Sequence, residues 1–179
     1  MNVYFLGKGT GDLNIKAECM SVTKTYVIED CLKVISSQTV TATSTGVVFT
    51  KLYGLSSEIP VEVSCDIKSS KTVKFGLVLK EGDNQTNNQY IRVGAESPNK
   101  GATITSTQYT QTNNLTTSAT ANTSFPVKIT YDGTDITGYV DGNSVISHSK
   151  TFSPLYVMII HWSENSRTVT VSNLKVKPL

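Results

Sequence analysis

Between residues 61 and 79 the chain repeats with a period that a helix cannot use. Val61, Val63, Cys65 and Ile67 alternate with Glu62, Ser64, Asp66 and Lys68. Successive side chains of a strand point to opposite faces, so this pattern buries one face and wets the other. After a Ser69-Ser70-Lys71 turn, Val73, Phe75, Leu77 and Leu79 alternate again. Tyr90–Ala95 puts Ile91 and Val93 on one face, Tyr90 and Arg92 on the other. Val127, Ile129 and Tyr131 make a further strand, then Ile136, Gly138 and Val140. Asp132-Gly133 and Asp141-Gly142 stand at the ends of these two strands, where tight hairpins need residues tolerant of positive φ. Leu155–Ile160 is apolar on both faces, as a central strand requires. In the last segment Val169 and Val171 are odd-numbered while Leu174 and Val176 are even-numbered, so a bulge is expected near Ser172-Asn173.

These segments predict an all-β chain: a two-sheet antiparallel β-sandwich of jelly-roll type over residues 46–179. Residues 1–45 read as a separate β-rich attachment arm and linker. Ser36–Thr45, nearly all Ser and Thr, is either linker or a first edge strand. Ser97–Gly101 reads as a turn and Gln111–Ser124 as a long polar loop or edge hairpin.

Composition agrees. Thr, Ser and Asn supply 57 of 179 residues, and only 17% are charged against a usual quarter or so. That excludes a coiled coil, a helical bundle and a highly charged disordered tail. The net charge is +2 with no dense basic block. Lys68, Lys71 and Lys74 read as a solvated face, so no nucleic-acid partner is expected. No apolar run is long enough for a spanning helix, so no membrane insertion is expected. The first residues lack the pattern of a secretory leader, and the cysteine count is odd; both point to folding in a reducing cytoplasm. Cys65 falls on the core face of its strand and is expected to be a buried thiol. Whether Cys19 and Cys31 pair is left open. The Cys and His spacing suits no zinc site, and no cofactor is expected.

The segment Phe125-Pro126-Val127-Lys128-Ile129-Thr130-Tyr131-Asp132-Gly133, followed by Thr137-Gly138-Tyr139-Val140-Asp141-Gly142-Asn143, resembles the paired hairpins of concanavalin A-like lectin/glucanase domains, laminin-G-like modules included. The closing Val171–Val176 resembles their last strand. The likeness covers about residues 46–179 and implies the fold, which hosts lectins, hydrolases and structural modules alike. The Gly7-Lys8-Gly9-Thr10-Gly11-Asp12 turn and its flanking short strands look like the attachment arm of phage tail and baseplate proteins. No Gly-Lys-Ser/Thr follows at phosphate-loop spacing, so that turn is not a nucleotide site.

Candidate chemistry is sparse. A glycan hydrolase needs two carboxylates about 5 to 10 Å apart. Glu62 and Asp66 share a strand face, but four residues separate them by on the order of 13 Å. Asp83, Asn84, Asn87 and Asn88 are oxygen-rich yet offer one carboxylate, short of what calcium prefers. Sugar binding needs aromatic rings beside polar groups. The candidates are Tyr90 and Arg92 on the polar face of their strand, Tyr109 at a strand end, Tyr139 opposite the core, and His161 with Trp162 at a strand exit. The expectation is therefore a non-enzymatic structural or adhesive module of a phage or virus particle. It would be homo-oligomeric, attached to other virion subunits through residues 1–45, and in contact with cell-surface glycans. A free microbial carbohydrate-binding module or lectin is the alternative, followed by a glycan hydrolase.

Overall fold

The computed structural model describes residues 17–19, 22–24, 35–42, 46–55, 60–85, 89–96, 98–163 and 166–179. Among the described residues there is no helix. A short hairpin of β1 (Ala17–Cys19) and β2 (Val22–Lys24) comes first. The sandwich strands follow: β3 (Ile35–Ala42), β4 (Gly46–Gly54), β5 (Val61–Ser69), β6 (Phe75–Lys80), β7 (Tyr90–Ala95), β8 (Asn99–Thr105), β9 (Thr110–Ser118), β10 (Phe125–Tyr131), β11 (Asp135–Val140), β12 (Asn143–Ser149), β13 (Tyr156–Ser163) and β14 (Arg167–Pro178). They form two antiparallel six-stranded sheets. The first runs β12-β11-β10-β5-β14-β3, the second β4-β13-β6-β7-β8-β9.

The period-two segments form the strands as their alternation requires. On β5, Val61, Val63, Cys65 and Ile67 are buried while Glu62, Ser64, Asp66 and Lys68 are half-exposed. The inner faces of both sheets meet in one core, joined across the gap by the Phe75 and Phe125 rings, edge to face at 6.0 Å. Each fully buried Val, Ile or Leu there contributes about 1.5–3 kcal/mol. β13 lies between β4 and β6 and is apolar on both faces because each face has a cluster to join. Val157 and Ile159 enter the main core, whereas Met158 and Ile160 pack outside the second sheet with Phe49 and Val78.

Both Asp-Gly pairs turn hairpins. Asp141 (φ 51°) and Gly142 (φ 80°) are consecutive left-handed residues between Val140 and Asn143, the two-residue turn that matches strand twist. The expected bulge is present: the β14–β5 register shifts between Ser172 and Lys175, and Asn173 takes φ 54°. This returns Leu174 to the core after Val171.

One segment differs from expectation, and two others take the edge-strand alternative to a linker or loop. Residues 35–42 pair with β14 as the edge strand of the first sheet, so the sandwich reaches well before residue 46. Asn99–Gly101 belong to a strand, and residues 110–118 form the outermost strand of the second sheet. Residues 35–42 and 110–118 lack apolar alternation because an edge strand is held by its ladder on one side and meets water on the other.

Candidate functional site

The outer face of the first sheet carries an open groove of about 490 Å³. Its geometry follows from register. Tyr139 on β11 pairs with Lys128 on β10, Lys128 with Ser64 on β5, and Ser64 with Lys175 on β14. Four side chains therefore stand in one row across four strands. The next row sets Pro126 beside Asp66, and the β14 bulge turns Asn173 toward it. Gly142 from the β11–β12 turn closes one rim. That turn is pinned to the second sheet, because Lys100 Nζ lies 2.6 Å from the Asp141 carboxylate and 4.6 Å above the Phe125 ring.

The charges in the groove are partly committed. Lys128 Nζ lies 4.3 Å from the centre of the Tyr139 ring and 3.6 Å from the Glu62 carboxylate. Lys177 approaches the same carboxylate at 3.0 Å. Asn173 Nδ2 donates to Asp66 Oδ2 at 2.7 Å. Glu62 thus faces two ammonium groups and Asp66 an amide, and the two stand four residues apart along β5. Lys175 is exposed and has no hydrogen-bond or ion-pair partner among the described residues. Cys65 lies beneath the floor on the core side, where burial and the neighbouring Asp66 push its thiol pKa up.

Of the sequence candidates whose side chains are described, only Tyr139 lines this groove. Tyr90 and Arg92 are on the outside of the second sheet, a face the chain itself closes. Tyr90 packs edge to face on Phe49 at 5.4 Å. Arg92 is only 7% exposed; its guanidinium donates to Thr103 and pairs with Glu96. Nearby, the Gln85 side-chain amide both donates to and accepts from the Phe49 backbone at 2.7 Å, so it blunts the β4 edge as an added strand would. Tyr109 follows β8 and packs on the His148 ring at 4.6 Å.

His161 does not sit at a strand exit. Opposite Phe75 on the core side of β13, it is 1% exposed, and neither ring nitrogen has a hydrogen-bond partner among the described residues. Burial lowers its pKa, and the nearby Arg167 lowers it further. The reason for the difference is parity: His161 continues the Val157, Ile159 series into the core. The Trp162 backbone pairs with Val47, while its side chain lies outside the described residues. So do the side chains of Cys19 and Cys31 and all of Asn87 and Asn88. Asp83 faces Lys51 at 3.5 Å.

Sequence reasoning missed Ser64, Asp66, Asn173, Lys128 and Lys175 as one site. Alternation places each on a polar face, yet β5 and β14 lie a hundred residues apart, and only the register makes them neighbours.

No protein-family model matches the chain, and no curated protein matches it either. Solved structures do. The carbohydrate-binding module CBM66 from Bacillus subtilis superposes with TM-score 0.58 at 17% identity, covering 80% of this chain and 96% of that one. The fold is the concanavalin A-like jelly roll. A functionally unknown protein from Saccharomyces cerevisiae gives TM-score 0.64 at 11% identity, covering 82% and 92% of the two chains. A sialidase gives 0.57 at 10% identity over 79% of this chain, which spans only 15% of that much longer protein. At these identities the likeness is one of fold.

Proposed function

We propose that this jelly roll is a non-catalytic carbohydrate-binding module and that the groove across β11, β10, β5 and β14 receives the sugar. One observation carries the reading: a half-exposed Tyr139 stands in register with Lys128, Ser64 and Lys175 on an open sheet face. A sugar stacking on Tyr139 takes over the ring contact now made by Lys128, which keeps Glu62 as its partner. Ser64, Asn173 and Lys175 then supply donors for hydroxyl groups. The nearby carboxylates argue against hydrolysis, since Glu62 and Asp66 are each engaged and too far apart along β5 to flank one glycosidic bond.

Binding to a glycan array, followed by titration calorimetry, tests the site. Tyr139→Ala should weaken binding about fivefold or more, since loss of a stacking ring costs about 1–3 kcal/mol. Undiminished binding by a folded Tyr139→Ala protein would refute the groove assignment. A setting on a phage or virus particle, with residues 1–45 as the attachment arm, is the finer form of this reading. It predicts a stable homo-oligomer by light scattering, whereas a free module runs at the 19.4 kDa of one chain.

A further inference from the structure

Resting on the groove reading, we infer that the preferred ligand is an acidic glycan, whose carboxylate or sulfate group sits above Ser64 between Lys128 and Lys175. Lys128 and Lys175 pair with Ser64 from its two sides. Adjacent strands are spaced about 4.8 Å apart, so the two lysine backbones stand roughly 10 Å from each other with a small hydroxyl side chain between them. That gap accepts one anionic group within reach of both ammonium groups and of the Ser64 hydroxyl.

The charge arrangement leaves this position open. Glu62, the carboxylate nearest Lys128, is shared with Lys177 and stands at 3.6 Å from Lys128, a loose pair. Asp66 is turned toward Asn173 at 2.7 Å. Lys175 has no acidic partner among the described residues. Its strand neighbour Lys177 adds to the positive field on the same face, and Lys68 stands on the outer face of β5 beyond Asp66. A neutral sugar would leave Lys175 without a counter-charge, whereas a uronic acid or a sulfate ester completes the row. Because all of these groups reach water, each ion pair is modest and screened by salt.

Affinity electrophoresis and calorimetry with polygalacturonate, dextran sulfate and neutral dextran test the inference, each at low and physiological salt. The wild-type chain should bind the two acidic polymers and not dextran. Preference between them tells a carboxylate ligand from a sulfate one. Lys175→Gln should weaken acidic-polymer binding about fivefold at low salt, while Lys71→Gln, an exposed lysine in the β5–β6 turn, leaves it unchanged. Equal loss in the two variants would mean non-specific charge and overturn the inference, as would dextran binding on a par with polygalacturonate. Tyr139→Ala separates the two levels. If it abolishes binding while Lys175→Gln is silent, the groove stands and the anionic preference falls. If neither variant matters, both fall; if no polymer binds, the anionic preference falls and the groove is decided by the glycan array.

Discussion

Gly76, Gly94 and Gly101 lie directly opposite one another on β6, β7 and β8, a row of three glycines on the outer face of the second sheet. Their spacing makes Gly94→Ala a sharp test of the sandwich. A Cβ at Gly94 would stand 2.6 Å from Gly76 Cα and closer still to the Phe75 carbonyl oxygen. Both are backbone atoms, so no rotamer change relieves the clash. To reach an ordinary contact of 3.4 Å with Gly76 Cα alone one strand must retreat by roughly 0.8 Å, and the nearer Phe75 oxygen demands more. Overpacking of this kind costs about 1–3 kcal/mol, and stretching the two neighbouring ladder bonds adds about 0.5–1.5 kcal/mol each. The total, about 2–6 kcal/mol, is a large share of a typical domain stability and lowers Tm by roughly 4–24 °C at this chain length. Gly142→Ala is the comparison. It has φ 80° but nothing within 4 Å, so it pays only the left-handed penalty of about 1–2 kcal/mol. Thermal unfolding followed by circular dichroism ranks them: Gly94→Ala should melt well below Gly142→Ala. Below its Tm, Gly94→Ala should bind ligand as the parent does, because the groove lies on the other sheet. A Gly94→Ala protein melting within 2 °C or so of the parent would refute the tight β6–β7 register.

Two further measurements probe the interior. Cys65 is buried and its thiol pKa is pushed up, so in a Cys19→Ser/Cys31→Ser protein its reaction with a thiol reagent at pH 8 should be limited by unfolding and speed up with urea; rapid reaction in native buffer would contradict the burial. His161 is held neutral, its folded pKa below the unfolded value near 6.5. The unfolded chain therefore takes up this proton first, and stability should drop as pH falls below about 6.5. Urea midpoints between pH 5 and 8 should flatten over that window in His161→Leu; an unchanged slope would assign the pH dependence elsewhere.

Most of the fold was legible because it is written in period two. Val61–Ile67 and Phe125–Tyr131 needed no partner to declare their inner faces, and Asp141-Gly142 declared its turn through residues that tolerate positive φ. The bulge at Ser172–Asn173 showed as a change of parity. The edge strands were harder. Residues 35–42 and 110–118 are rich in Thr, Ser, Asn and Gln, so nothing in their own pattern separates a strand from a loop; the ladder with β14 or β8 decides. His161 was misplaced because a strand exit was expected where β13 in fact continues to Ser163. The groove was illegible for another reason. Tyr139, Lys128, Ser64 and Lys175 come from four strands whose order, β11-β10-β5-β14, is a property of topology and not of any local segment.

The outer faces of the two sheets explain why aromatic content alone was a poor guide. The second sheet's outside holds Phe49, Tyr90 and Tyr156, more ring surface than the first, yet its apolar cluster is buried, with Val78 and Met158 at 0% exposure. Its cations are spent at home: Lys80 donates to the Gly82 carbonyl at 3.0 Å and lies over the Phe49 ring, and Arg92 serves Thr103 and Glu96. Rings and charges that satisfy one another give a ligand little to gain, since contacts already made must first be broken. The first sheet's outer face presents Tyr139 in one row with Lys128, Ser64 and Lys175 on an open face, and Lys175 has no hydrogen-bond or ion-pair partner among the described residues. A ligand there would displace one ring contact, that of Lys128 on Tyr139, and add contacts to Lys175 that nothing among the described residues now makes. On that ground the sparser face is the better binding surface, and removing Lys175 should cost more binding than removing Arg92 costs beyond its effect on folding.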